Sequence, residues 1–213
     1  MKPSACPSPL WHPFTQHATA GPMVEIVRGQ GAWLHGADGR RYLDAISSWW
    51  VITHGHGQPA IAPAIAEQAA TLEQVIFAGF THPPAERLAG RLLALAPRTP
   101  ESEPLEFVFL SDSGSTAVEV GLKMAVGYWH NAGRPRHRVV ALEHGYHGDT
   151  FGAMSVGARS IFSAPYQPLL FSVDFLPFPD AGREEATLAA FAALLDRHGG
   201  DIAALIVEPL VLG

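Results

Sequence analysis

Phe107-Val108-Phe109-Leu110-Ser111-Asp112-Ser113-Gly114-Ser115-Thr116 is the stretch on which the fold turns. Four apolar residues predict a buried strand. The strand breaks on small hydroxyl residues and a glycine, and a long helical pattern begins near Ala117. A helix start leaves backbone N–H groups without partners, and the helix dipole favours negative charge beside them. Gly114 permits close backbone approach, while Ser113, Ser115 and Thr116 add hydroxyl donors. Thr116-Ala117-Val118-Glu119 fits a capping box. The segment suits a phosphate seat, and it equally suits an ordinary capped helix that binds nothing.

Downstream of this stretch, apolar strand runs alternate with helical patterns. Strands are expected at 107–110, 138–142, 173–176 and 203–207, with helices at 117–130, 151–156 and 184–197. That alternation predicts an α/β fold with a mainly parallel sheet covered on both faces. Upstream, short strands are expected at 24–28, 32–35 and 41–44, separated by turns at Gly29-Gln30-Gly31 and Ala37-Asp38-Gly39. Helices are expected at 59–72 and 84–95. Residues 1–20 read as irregular because Pro3, Pro7, Pro9 and Pro13 interrupt regular structure. The expected organisation is an N-terminal segment over 1–55 and the first part of a larger domain over 56–213. The apolar ending Leu210-Val211-Leu212-Gly213 is unlike a polar linker and reads as a truncation.

Composition narrows the function. The chain carries 47% hydrophobic and 16% charged residues, which suffices for a sizeable core. A net charge of -6 with no basic block argues against nucleic acid as the main partner. A single cysteine, Cys6, excludes an internal disulfide framework and fits a reducing compartment. No apolar run approaches a membrane span, and the first residues lack the apolar core of a signal peptide. These features read as a soluble, cytoplasmic protein with no membrane partner. Only two lysines occur, Lys2 and Lys123. Lys2 lies in a proline-rich leader, and Lys123 stands four residues after Glu119, a spacing that suits a surface ion pair.

Ligands of open parallel sheets bind at the carboxyl ends of the strands. Three such ends carry chemistry: Ser111–Thr116, the run Glu143-His144-Gly145-Tyr146-His147-Gly148-Asp149-Thr150, and Glu208-Pro209. Together they suit one ligand with a phosphate, a flat ring and a polar edge. Tyr146 could stack on the ring or be a packed loop aromatic. Glu208 could organise polar groups or simply pair with an arginine. His144 and His147 have no cysteine or carboxylate cluster to complete a tetrahedral site, so no metal is expected. His54 and His56 are flanked by Gly55 and Gly57, which suggests a backbone turn. Trp49 and Trp50 cannot both face a core from extended backbone. One should line a pocket or an interface, unless the backbone turns there.

These segments resemble the N-terminal half of a class III (ω-aminotransferase) pyridoxal-phosphate enzyme of fold type I. The resemblance rests on Leu10-Trp11-His12-Pro13-Phe14-Thr15-Gln16, Asp44-Ala45-Ile46-Ser47-Ser48-Trp49-Trp50 and Phe80-Thr81-His82. It continues through 112–120, 145–156 and Ile206-Val207-Glu208-Pro209. The 147–155 run is general to the group, whereas the Trp-His-Pro opening and the Trp-Trp pair point to its biotin-biosynthesis branch. The resemblance implies pyridoxal 5'-phosphate as cofactor, with Gly114 and Ser115 at its phosphate. Tyr146 would stack on the ring, with His147 beside it and Glu208 in the same pocket. It implies Trp49, Tyr146 and the position of Phe14 as substrate contacts. S-adenosylmethionine and 8-amino-7-oxononanoate would be the substrates, 7,8-diaminononanoate the product, and a homodimer the working form.

Two departures follow from the same comparison. Phe14 stands where the branch carries a substrate-contacting tyrosine, so a hydroxyl is missing. The family's Schiff-base lysine and its cofactor-pairing aspartate would lie beyond residue 213. The expectation is therefore no catalytic residue in this chain and no competence on its own. The alternatives are another ω-aminotransferase acting on a diamine or ω-amino acid, or an inactive binding or assembly fragment.

Overall fold

The computed structural model describes residues 8–98 and 103–212, which fall into two compact units divided between Arg87 and Leu88. Lys2, Cys6, Pro3 and Pro7 lie outside the described residues.

The first unit holds an antiparallel sheet of β1 (Ile26–Gln30), β2 (Trp33–Gly36) and β3 (Arg41–Leu43), in that order. The strands begin and end within two residues of the expected positions. Gly31 and Gly39 take φ of 56° and 78° in the two turns, a region open to glycine at no steric cost. Asp38 stitches the second turn by accepting from the Arg40 N–H at 3.0 Å and the Tyr42 hydroxyl at 2.7 Å. The one-turn element α1 (Ser47–Trp50) follows, then α2 (Ile61–Thr71). The Trp-Trp pair thus sits in a turn, the exception allowed for on the sequence. Both rings are exposed. Helix α3 (Pro83–Leu95) crosses the division between the units.

The second unit is a three-layer α/β/α arrangement. Its parallel sheet has the order β5-β4-β6, built from β4 (Arg138–Leu142), β5 (Asp174–Leu176) and β6 (Ile202–Ile206). Alternate residues of β4 feed opposite faces. Val139 and Ala141 pack with Val156, Val118 and Leu122 under α4 (Gly114–Asn131) and α5 (Phe151–Val156). Val140 and Leu142 pack with Leu176, Ile202 and Leu194 of α6 (Glu184–His198). Because β5 and β6 lie on opposite sides of β4, right-handed crossovers must use opposite faces of the sheet, as α5 and α6 do. The Trp129 indole N–H donates to the Ala203 carbonyl at 3.0 Å and ties α4 to β6. Arg138 bonds both Asp174 oxygens, at 3.0 and 2.8 Å, and ties β4 to β5.

Three expectations are corrected. Residues 107–110 form no strand. β4 has a partner on each side, the run forms no ladder with the outer edge of β5 or β6, and Phe107 is 89% exposed. Helix α4 begins at Gly114 rather than Ala117, and its capping box is Ser113 with Thr116, not Thr116 with Glu119. The Thr116 N–H donates to the Ser113 hydroxyl, and the Ser113 N–H donates back to the Thr116 hydroxyl. Glu119 and Lys123 form no ion pair among the described residues. The Glu119 carboxylate instead turns to the start of α5.

Candidate functional site

Three chain segments meet at one end of the parallel sheet of the second unit. The first is the start of α4. Ser113 and Thr116 are occupied with one another, which leaves the Gly114 and Ser115 N–H groups at N1 and N2 without partners among the described residues. A Cβ built on Gly114 would meet nothing within 4 Å, so protein packing does not require the glycine there. The open space beside two unpaired N–H groups is a cradle that a side chain would fill, and it fits an oxyanion.

The second segment follows β4. His144 enters it with a φ of 67°, and Gly148 takes a φ of 125°. Gly148 lies directly on Ser115. An added Cβ would come within 2.7 Å of the Ser115 Cβ, so any larger residue would push the loop off the helix start. The Asp149 N–H donates to the Ser115 hydroxyl at 3.0 Å and fixes that approach. Glu119 locks the far side by accepting from the Gly152 and Ala153 N–H groups at 2.7 and 3.2 Å, capping α5. Burial opposes ionisation of Glu119. The bonds from the Gly152 and Ala153 N–H groups, with the neighbouring Thr150 hydroxyl and the Lys123 charge, outweigh it and hold the carboxyl below its ordinary value.

The third segment follows β6. Glu208 accepts from the Tyr146 N–H at 2.8 Å, joining the ends of β6 and β4. The Tyr146 ring is 47% exposed, and its hydroxyl donates to Asp149 at 3.0 Å. Burial, together with the bond to Asp149 and its charge, raises the phenol above its ordinary range. His147 is half-buried. Burial pushes its imidazole below the usual histidine value, and the nearby Glu208 charge works the other way.

Ser115, Tyr146, His147 and Glu208 are thus brought together around one end of the sheet, with Gly114 beside Ser115. Phe14 and Trp49 meet separately in the first unit, with ring centroids 5.3 Å apart and planes inclined by 22°. Two residues were missed on the sequence. Asp149 was read only as part of a loop, although its spacing from Tyr146 brings a carboxylate within reach of the phenol. Glu119 was assigned to its own helix. Among the described residues no group of three or more His, Cys, Asp and Glu could hold a metal. No helix of the described chain is long and apolar enough to cross a membrane.

An oxyanion cradle at a helix start, an exposed aromatic beside it and a carboxylate from a neighbouring strand, on a parallel α/β sheet, are what a transferase with a phosphorylated flat cofactor requires. The chain belongs to the class-III aminotransferase family, which matches residues 15–213. An adenosylmethionine-8-amino-7-oxononanoate aminotransferase of Synechococcus elongatus is 55% identical over 96% of this chain and 48% of that protein. A solved enzyme of the same name from Methanocaldococcus jannaschii superposes with a TM-score of 0.83 at 34% identity, covering 96% of this chain and 45% of that one. An amine transaminase from an uncultivated Pseudomonas species, solved in its PLP-bound form, gives a TM-score of 0.79 at 31% identity, covering 97% and 49%. The chain spans about half the length of the curated relatives it matches. The expected fold class, part of a fold type I transferase with a parallel sheet, is the one it shares with these structures.

Proposed function

We propose that this chain is the cofactor-phosphate-binding part of an aminotransferase of biotin biosynthesis. That enzyme would move an amino group from S-adenosylmethionine to 8-amino-7-oxononanoate and give 7,8-diaminononanoate. The observation that carries the reading is the pair of bonds, Asp149 N–H to Ser115 and Tyr146 N–H to Glu208, that draws three segments around the free N–H groups of α4. The 55% identity to the Synechococcus enzyme of that name supports the choice of substrates.

The residues present fit pyridoxal 5'-phosphate. Gly114 and Ser115 would hold the phosphate, Tyr146 would cover the ring, and His147 and Glu208 would lie in the same pocket. When bound, the cofactor supplies the electron sink for amino-group transfer. The residues of this chain supply binding and orientation. Two N–H donors at a helix start neutralise the phosphate, Glu208 holds the Tyr146 backbone, and Asp149 aims the phenol. Phe14 and Trp49 form the aromatic surface for substrate. Lys123 lies within α4 and is not assigned the covalent role toward the cofactor, so no catalytic residue is assigned to this stretch. The working protein is read as a cytoplasmic homodimer.

The test is to supply the natively encoded protein with 8-amino-7-oxononanoate and a panel of amino donors. The expected result is 7,8-diaminononanoate formed with S-adenosylmethionine. No conversion with any donor overturns the reading. Phe14, which brings no hydroxyl to its stack with Trp49, favours a second reading, an ω-aminotransferase for a diamine or ω-amino acid. Turnover of those compounds in the same panel would select it.

A further inference from the structure

Asp44, Ser48 and His56 have no part in the chemistry described above, yet they form a closely bonded polar cluster in the first unit. They surround an improbable piece of backbone. Ser47, Ser48, Trp49 and Trp50 take φ of 50°, 46°, 66° and 66° in succession, and none is glycine. Each such residue costs on the order of 1–2 kcal/mol, so the run persists only where its surroundings impose it.

The surroundings are specific. Asp44 Oδ1 accepts from the Ser48 N–H at 2.8 Å, and Oδ2 accepts from the Ser48 hydroxyl at 2.7 Å. Oδ2 also lies 2.8 Å from His56 Nε2. The Asp44 and His56 side chains are only 5% and 16% exposed. His56 is held in turn by the β1–β2 turn. Its backbone pairs with Gly31 through bonds of 2.9 and 2.8 Å. Its ring covers Gly29, where an added Cβ would meet His56 Cγ at 2.6 Å. The order of contacts is therefore hairpin turn, His56, Asp44, Ser48, and the next residue is Trp49, stacked on Phe14. Ser48 donates to the carboxylate and not to the imidazole, so the trio is no nucleophile–base relay.

We infer that Asp44, braced by His56, is a positioning residue that fixes the left-handed turn 47–50 so that Trp49 meets Phe14, and thereby sets the fit of the amino acceptor. The inference rests on the reading of Phe14 and Trp49 as substrate-contacting residues. The Ser48 N–H, the Ser48 hydroxyl and His56 also hold the Asp44 carboxyl down to about 2, so the bonds are made by an ionised group.

The test uses the natively encoded protein saturated with pyridoxal 5'-phosphate and the variants Asp44→Asn, Ser48→Ala, Trp49→Ala and Asp44→Asn/Trp49→Ala. Asp44→Asn should raise the acceptor KM about tenfold and leave kcat within about twofold, with Ser48→Ala smaller in the same direction. The double variant should be no worse than Trp49→Ala, because both changes act through one side chain. Where Trp49→Ala raises KM, an unchanged KM in both Asp44→Asn and Ser48→Ala, or effects that multiply in the double variant, overturns the inference. If Asp44→Asn does not fold, Ser48→Ala with Trp49→Ala completes the same cycle. Near-ultraviolet circular dichroism separates the two readings. If Trp49→Ala leaves KM unchanged, the substrate reading fails. The clamp then stands if Asp44→Asn removes the same aromatic band as Trp49→Ala, and falls if that band survives.

Discussion

Asp44 shows how a single carboxylate can hold backbone that its own residues disfavour. Its carboxyl lies below the ordinary 3.8, at about 2, because the Ser48 N–H, the Ser48 hydroxyl and His56 all favour the ionised form. A depressed folded value contributes stability that is fully present above the unfolded value and is lost as pH falls through the folded one. The stability advantage of the wild type over Asp44→Asn should be constant at neutral pH and shrink as pH falls from 3.8 toward 2, read by denaturant unfolding at each pH. The start of α4 is equally local. Ser113→Ala removes the acceptor of the Thr116 N–H and should cost about 1 kcal/mol, measured the same way. At this scale the sequence was half legible. Gly114 and Ser115 could be assigned because a hydroxyl- and glycine-rich break before a helix is a local signal. Glu119 was misassigned because Thr-x-x-Glu is also a local signal, and the N–H groups of α5, remote in sequence, outcompeted it. The pairing of Asp44 with His56 gave no signal. Their partnership spans twelve residues and depends on a turn that no propensity rule predicts.

The elements were read best where the chain punctuates itself. β4 and α5 were placed at their observed bounds, because an apolar run flanked by polar residues fixes a central strand, and the turn before Phe151 fixes the helix. Residues 107–110 carry the same apolar signature but form no strand, since a strand needs a partner and hydropathy does not supply one. The same logic locates the stability of the second unit in the faces of β4. Val140 is fully buried between β5 and β6, and Leu194 of α6 is 6% exposed against it. Leu194→Ala should destabilise by about 3 kcal/mol, seen as a lower denaturant midpoint with an unchanged slope. An exposed neighbour on α6, Leu188→Ala, should cost well under half as much.

Across the molecule, apolar surface is the conspicuous feature. Phe107 and Leu210 in the second unit are 89% and 92% exposed, and Trp11 and Trp50 in the first are 91% and 70% exposed. Exposed apolar side chains in such density mark association surfaces. Produced alone, the 213-residue chain should bind a hydrophobic dye and sediment as concentration-dependent oligomers, whereas a dye-free monomer would show that these residues find cover by themselves. The alternating strands and helices made the fold class readable at this scale, but nothing in the pattern reported which faces stay uncovered. The reading of function converges on the cradle at Gly114 and Ser115, and one titration examines it directly. The natively encoded protein should bind pyridoxal 5'-phosphate at least about 100-fold more tightly than pyridoxal, which lacks the phosphate. Gly114→Val puts a side chain into the cradle, with its Cβ at a point where no protein atom lies within 4 Å, and it should narrow that preference by about tenfold or more. A preference that Gly114→Val leaves unchanged would place the phosphate elsewhere and remove the basis for assigning this site.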